Sequence, residues 1–311
     1  MLALATFMDS GSDMEQPGRY ALVTPARNEE RFIGRTIAAV ARQSALPERW
    51  IIVDDGSSDN TSGIVRDMSR RLPFIRLLSR PAGSGRNFGS KVRAFEAGVR
   101  ELANVDYDYI GILDADITLG QTYYETVMQR MAAEPRLGLA GGVRRYDLDG
   151  NKRYRVLSKP WSVCGAVQFF RRRCFEEIGG FLPLKCGSED ALAEIMARMK
   201  GWEVRAFPDL IVHHHKRMGS GSGSILRARF REGQADSTLR THPVYEAAKL
   251  LYRMAEKPYV VGSLTRLAGY CAGNPEGCIP EDVAVYHRRE QLDRLRWLAR
   301  KTLGLKPRPG A

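Results

Sequence analysis

A chain of 311 residues with 43% hydrophobic and 27% charged residues holds enough material for one large α/β domain or two smaller ones, and it is not composed like a disordered or fibrous polymer. The formal net charge of +12, with much of the excess after Arg227, fits a basic soluble surface or an anionic partner: nucleic acid, phosphorylated ligand or membrane. Five cysteines at wide, unpatterned spacing argue against a disulfide framework or a zinc site and fit a reducing cytoplasm.

Residues 1–18 lack the basic and long apolar segments of a signal peptide and read as a loose leader. "RYALVT" (Arg19 to Thr24) reads as a first strand, and Phe32, Ile33, Ile37 and Val40 then recur at helical spacing. "WIIVD" (Trp50 to Asp54) is a second strand, followed by a helix on Ile64, Val65, Met68 and Leu72. "FIRLL" (Phe74 to Leu78) is a third strand, and Phe88, Val92, Phe95, Val99 and Leu102 mark a third helix. "YIGIL" (Tyr109 to Leu113) is the fourth strand. Such alternation predicts a mostly parallel sheet with right-handed crossovers. After Gly120 the alternation weakens. "SEDALAEIMARMKGW" is a helix with Leu192, Ile195, Met196 and Met199 on its apolar stripe, and "VRAFPDLIVHHH" returns to a strand. "MGSGSGS" (Met218 to Ser224) has the composition of a flexible loop, and the basic remainder reads as helical.

Ligands of parallel sheets collect beyond the carboxyl ends of the strands, and the polar clusters sit there. "DDGSSDNT" has the residues of a turn and a helix cap, yet Asp55 at a strand's end could accept a hydrogen bond from a base N–H. In extended chain Asp114 and Asp116 face one side, and two such carboxylates repel unless a cation intervenes. Hard oxygen ligands suit Mg2+ or Mn2+, whereas an isolated D-x-D is more often a solvated loop. "SED" opens a helix, where acids complement the helix dipole; alternatively Asp190 is a general base. Adjacent residues of "HHH" (His213 to His215) point to opposite faces of a strand, so one of them, not all, could meet a metal. "GSGRNFGSK" is neither a Walker A loop nor a dinucleotide fingerprint, although Arg86 and Lys91 could meet a diphosphate.

Each motif is weak and their order is not. "TPARNEE", "VDDGSSDNT", "RNFGSKVRAFEAG", "LDAD", "GAVQFFRRRCFEEIGGF", "SEDALAEIMARMKGW" and "PDLIVHHH", over about Tyr20 to Arg217, resemble the family 2 glycosyltransferases. The resemblance implies an α/β fold of GT-A type, a mostly parallel Rossmann-like sheet flanked by helices, here with a basic helical C-terminal extension. It divides the chain into a leader (1–18), a nucleotide-sugar-binding half (19–120), an acceptor and catalytic half (121–225) and the extension (226–311). It also implies roles. Pro25, Arg27 and Glu29 would line the nucleoside pocket, Asp55 would contact the base and Lys91 would lie near the phosphates. Asp114, Ala115 and Asp116 match the family's D-x-D element, with Asp116 the closer metal ligand, and Glu189 would also touch the donor. Asp190 matches the catalytic base, and His214, with His213 and His215 as alternatives, would complete the shell of a divalent cation, Mn2+ or Mg2+. Arg27 departs from the family, many of whose members carry an aromatic residue there.

The implied reaction is inverting transfer of one sugar from a nucleotide-diphosphate sugar, a UDP-sugar by preference, to a hydroxyl on a glycan or lipid-linked acceptor in cell-envelope or exopolysaccharide synthesis. Processive members carry a Q-x-x-R-W element, which is absent here, so single-sugar addition is expected. "MGSGSGS" would close over the donor and exclude water. Pro258 to Gly273 is too short to span a bilayer and is interrupted by Arg266, so a soluble or peripheral protein is expected, which with the cysteine usage gives a cytoplasmic one. In "YHRREQLDRLRWLARK", Leu292, Leu295 and Leu298 beside several Arg suggest either a helix packed on the core or one touching anionic lipid at the inner face of the cell membrane. Two other readings compete: a metal-dependent sugar nucleotidyltransferase, which would not need Asp190, and a basic nucleic-acid-binding module. The latter would need aromatic residues interleaved on the basic patch, and the tail has few, so no nucleic-acid partner is expected.

Overall fold

The computed structural model describes residues 18–81, 88–147, 154–156, 160–184, 187–216, 224–275 and 278–304; Arg86, Cys186 and the 218–223 stretch of the expected donor-closing loop lie outside them. The first half follows the sequence pattern: β1 (Tyr20–Ala26), α1 (Ile33–Ala41), β2 (Arg49–Asp55), α2 (Thr61–Ser69), β3 (Ile75–Arg80), α3 (Phe88–Arg100) and β4 (Tyr109–Ile112). These strands lack the polar alternation of a half-exposed sheet because both of their faces are covered. Tyr20, Leu22, Trp50 and Ile52 point into one core with Ile33, Ile37 and Val65. Ala21, Val23, Ile51 and Val53 point into the other with Val92 and Phe95.

Beyond Gly120 lies more structure than the pattern suggests. β5 (Ile117–Leu119) is followed by α4 (Tyr123–Ala133), β6 (Leu137–Asp147), β7 (Tyr154–Val156), β8 (Phe169–Arg171), α5 (Arg172–Glu177), α6 (Glu189–Met199) and β9 (Glu203–His214). The described strands join one sheet in the order β3-β2-β1-β4-β8-β6-β9-β5, with β7 paired to β6. β1 to β4, β6 and β9 run one way, while β5, β7 and β8 run against them, so the sheet is mostly parallel. β1 lies between β2 and β4. The chain thus winds outward from β1 to β3 and returns to start again at β4. Such a switch point opens a crevice at the carboxyl ends of the strands.

The C-terminal segment is helical: α7 (Ile225–Thr238), α8 (Pro243–Arg253), α9 (Tyr259–Ala272) and α10 (Glu281–Thr302). α7 and α9 touch backbone to backbone, for a Cβ on Gly233 would strike the carbonyl of Arg266, and one on Gly269 that of Phe230. α10 packs on α6 through Arg198, whose Nε donates to Glu290 Oε1 at 2.6 Å. Cys164, Cys174, Cys271 and Cys278 are free thiols, the first two buried.

Candidate active site

Three loops at the carboxyl ends of β1, β2 and β4 build the first wall of the cleft. The β1 and β2 loops lock together. Ser58 N–H donates to Asn28 Oδ1 at 2.8 Å, Asn28 N–H to Ser57 Oγ at 3.0 Å, and Glu29 N–H to Thr61 Oγ1 at 2.8 Å. Asn28 holds a positive φ of 57°, a region in which Asn is among the better tolerated residues. The turn-forming reading of "DDGSSDNT" therefore accounts for most of its polar residues. Asp54 belongs to that scaffold, accepting from Ser57 N–H at 3.0 Å and from the Ser62 hydroxyl. Asp55 does not; its Oδ1 meets Arg80 Nη1 at 3.3 Å across the β2–β3 register. Glu29 is buried and pairs with Lys216, which follows the three histidines. Pro25 is half-buried near the end of β1, and Arg27 Nη1 is buried with no hydrogen-bond partner among the described residues.

The D-x-D segment is not extended. β4 ends at Ile112 and residues 115–116 form a turn, so the two acids do not converge as neighbours on one strand face. They take different partners instead. Asp114 Oδ1 pairs with Lys91 Nζ at 2.7 Å. Asp116 Oδ2 lies 2.9 Å from His214 Nε2. β5 causes this second meeting: it starts directly after Asp116 and pairs antiparallel with β9, Ile117 opposite His214. Alternation along β9 then separates the histidines. His213 is exposed, while His215 stacks on Phe32 at 6.0 Å and its ring contacts Thr118 Oγ1 at 3.2 Å. Of the three side chains, His214 is the one shown against the Asp116 carboxylate, while His215 meets Asp116 through its backbone N–H, which donates to the Asp116 carbonyl at 3.0 Å. Ala115 is buried in the apolar core, and its carbonyl accepts from Thr36 Oγ1 at 2.8 Å.

Arg144 Nη1 stands 3.4 Å from His214 Nδ1. Burial opposes ionisation of Asp116, yet the His214 hydrogen bond and charge, with Lys216 behind, hold its carboxyl below the usual range. The pair fits a divalent cation. Ligands about 2.1 Å from Mg2+ in adjacent octahedral positions stand about 3 Å apart, close to the observed separation. No group of three His, Cys, Asp or Glu side chains that could hold a metal occurs among the described residues. A cation here would thus take its other ligands from water and a bound diphosphate, as Mg2+ commonly does.

The facing wall comes from α6 and from the segment before β8. Asp114 N–H donates to Ala166 O at 2.9 Å, which sets Gly165 beside the D-x-D turn. Asp190, in the first turn of α6, rests on Gly165: any Cβ there would strike Asp190 Oδ2, so only glycine leaves room. Gln168 Nε2 holds the Asp190 carbonyl at 3.1 Å. Between the walls lies a cleft of about 230 Å3 lined by Lys91, Asp114, Arg144, Glu189, Asp190 and His214, among others. Burial opposes the charge of Lys91, but Asp114, Glu189 and Asp190 outweigh it and raise its pKa. Burial pushes the Glu189 carboxyl upward, against Lys91 and with Asp190.

The structure thus brings together Lys91, Asp114, Asp116, Glu189, Asp190 and His214, and leaves Pro25, Arg27, Glu29 and Asp55 along the β1–β2 side. Sequence reasoning missed Arg144, Gly165 and Lys216. Lys216 is adjacent to a motif and could have been noticed; Arg144 sits in an undistinguished "GGVRRYD" stretch that carries no such signal.

A doubly wound sheet with an acid turn after its fourth strand and a helix-borne Asp facing it has the architecture of a GT-A-type glycosyltransferase. The chain belongs to glycosyl transferase family 2, whose family model matches residues 21–198. Among curated proteins it is 26% identical over 221 residues to "Probable glycosyltransferase YdaM" of Bacillus subtilis (64% of this chain, 51% of that one). It is 28% identical over 142 residues to a poly-beta-1,6-N-acetyl-D-glucosamine synthase of Staphylococcus aureus (45% of this chain, 29% of that one). The chain thus spans about half or less of the length of these relatives. In fold it is similar to a mannosyltransferase of Pyrobaculum calidifontis solved with GDP-Man and Mn2+ (TM-score 0.59, 17% identity, 94% of this chain and 89% of that one). It is similar also to GalNAc-T7 solved with UDP, GalNAc and Mn2+ (TM-score 0.60, 13% identity, 94% and 59%).

Proposed function

We propose that this glycosyltransferase performs inverting transfer of one sugar from a nucleotide-diphosphate sugar, a UDP-sugar by preference, to a hydroxyl of a glycan or lipid-linked acceptor in envelope or exopolysaccharide synthesis. The observation that carries the reading is the shared cleft: His214, paired with Asp116, and Asp190 line or border the same space, with Lys91 between three carboxylates. The first half, 19–120, holds the donor. Asp55 takes the base, with Pro25, Arg27 and Glu29 along the nucleoside, and Lys91, Asp114 and Glu189 lie beside the diphosphate and sugar. Ala115 contributes through the turn it shapes rather than through an exposed side chain. Asp116 and His214 would hold Mn2+ or Mg2+, which would supply Lewis-acid stabilisation of the leaving diphosphate.

Asp190 takes the proton from the acceptor hydroxyl as that oxygen attacks the anomeric carbon on the face opposite the diphosphate. Lys91 keeps its charge and offsets the negative charge that grows on the leaving group. The mannosyltransferase and GalNAc-T7 structures, solved with nucleotide or nucleotide-sugar and Mn2+, support the donor class and the cation. The poly-N-acetylglucosamine synthases among the relatives support the polysaccharide context. Cytoplasmic placement with peripheral contact to an anionic membrane belongs to the same proposal; no described helix is long and apolar enough to cross a membrane.

A screen of nucleotide-sugar hydrolysis with Mn2+ or Mg2+ tests the reading. Asp116→Ala is expected to lose cation-dependent donor binding. Asp190→Asn is expected to bind donor as the native protein does and to lose transfer by a factor of at least ~100, the range of a removed general base. Full transfer by Asp190→Asn would remove the assigned base.

A further inference from the structure

A second cavity, about 370 Å3, meets the first at Asp190, and Arg144 and Gly165 also border both. Its size lies at the lower end of the ~300–1,000 Å3 typical of small-molecule sites. One wall is the sheet domain: Trp161 to Gly165 and the α6 residues Asp190, Glu194 and Arg198. The other is the C-terminal helical segment: Asp236 of α7, Tyr245 and Lys249 of α8, and His287, Gln291 and Arg294 of α10. The match to family 2 ends at residue 198, so this second wall lies outside it.

We propose that this cavity is the acceptor site, that it takes a pyranose ring presenting a hydroxyl to Asp190, and that the C-terminal helices choose which sugar enters. The proposal rests on the reading of Asp190 as the base. The chemistry of the lining selects the ligand class. A pyranose has apolar C–H faces and a rim of hydroxyls that both donate and accept. Trp161 supplies an apolar face; it is 44% exposed, and Arg294 steadies it with its guanidinium 5.6 Å from the ring centre. Acceptors and donors of hydrogen bonds alternate round the wall: Asp236 beside Lys249 at 2.8 Å, and Glu194 beside Arg198 at 3.7 Å. Such forks suit vicinal hydroxyls, each of which can donate to the carboxylate and accept from the cation. A bare lipid alcohol would find few apolar partners, with Val163, Ala191, Ile195 and Leu239 the aliphatic exceptions. Asp190 is placed for both rooms. Its Oδ1 is held by Ala191 N–H at 2.9 Å, and its Oδ2 lies over Gly165, the residue that lines both cavities.

Saturation-transfer NMR on the full chain with a panel of methyl pyranosides, neutral and uronic, titrated through the millimolar range, tests the proposal. At least one glycoside is expected to bind, and Trp161→Ala and Arg294→Ala to weaken it at least tenfold. Trp297→Ala, an aromatic of α10 outside the cavity, is expected to leave binding as it was. Tyr245→Phe, which removes one hydroxyl, serves should either alanine variant fail to fold, and is expected to weaken the glycoside several-fold. Binding equal to native in every folded cavity variant, or no binding of any glycoside by the native protein, overturns the proposal. Nucleotide-sugar hydrolysis in the same samples separates the two failures. Hydrolysis without glycoside binding removes this inference alone, whereas glycoside binding without hydrolysis removes the donor reading.

Discussion

Glu194, one helical turn after Asp190, is buried and accepts from Val163 N–H at 2.7 Å and from the Ser162 hydroxyl at 3.3 Å. It thereby ties α6 to the segment that carries Gly165 and positions Asp190 from beneath. Burial pushes its carboxyl up to about 7, against Arg198 and with Asp190. The folded state therefore binds a proton that the unfolded chain, near 4.5, has released. Stability from this group is full below about 4.5 and declines as pH rises through about 7. Urea unfolding of native protein and Glu194→Gln at pH 5 and pH 8 should show this: the native protein loses stability relative to the variant as pH rises, and parallel behaviour would refute it. Glu290 has the opposite sign. Burial is outweighed by His287, Arg198 and Arg294, which pull it to about 2, so its contribution is present above about 4.5 and lost as pH falls through about 2. Neither role is legible in sequence, where Glu194 before Arg198 looks like a surface i,i+4 pair.

Elements show the same division. Long, strongly periodic ones such as α3 and α6 are legible, and so are strands covered on both faces. β5 is not, because three residues carry no period, and β6 is masked by its glycines. Yet β5 is what carries Asp116 to His214 across a sequence separation of 98. Arg266 illustrates a residue whose meaning reverses on folding. In sequence it interrupts an apolar run; in the structure it is 7% exposed and joins three helices. Its Nε donates to Asp236 at 2.9 Å and approaches Glu246 at 3.5 Å, with Glu232 as a further partner. Lys249 closes the network on Asp236 at 2.8 Å and Glu246 at 2.6 Å. Removing one member of such a buried network strands the others, a loss of about 3–5 kcal/mol. Arg266→Met should therefore destabilise the helical segment by that order in urea unfolding. A change under ~1 kcal/mol would show that the glycine-mediated contact of α7 with α9 suffices alone.

Across the whole molecule the basic excess and the apolar surface coincide at one end of the helical segment. Tyr252 (78% exposed), Tyr259, Val260, Val261 and Leu264 stand open where α8 turns into α9. Ile225 and Leu226 open α7, whose packing on α9 brings Arg229 to Gly262. Arg227 and Lys257 are exposed there and form no ion pair among the described residues. An apolar patch with free cations suits an anionic lipid surface. This moves the lipid-facing candidate from α10 to α9, since Leu292 and Leu295 of α10 are half-buried. The full chain should float with phosphatidylserine-containing liposomes at low salt, less at high salt, and several-fold less as Val260→Glu/Leu264→Glu. Absence from the liposome fraction at low salt would sink the idea.

The sequence by itself determined the layered α/β architecture, because two-sided burial and helical periodicity are local patterns written in each segment. It also placed the acids at the carboxyl ends of strands, where a parallel sheet opens. Only the tertiary structure decided which histidine side chain meets the Asp116 carboxylate, that Asp54 serves the loop scaffold while Asp55 pairs with Arg80, and that the C-terminal helices wall a second room beside Asp190. Those outcomes depend on strand register and helix packing between residues far apart in the chain, and no local pattern carries that information.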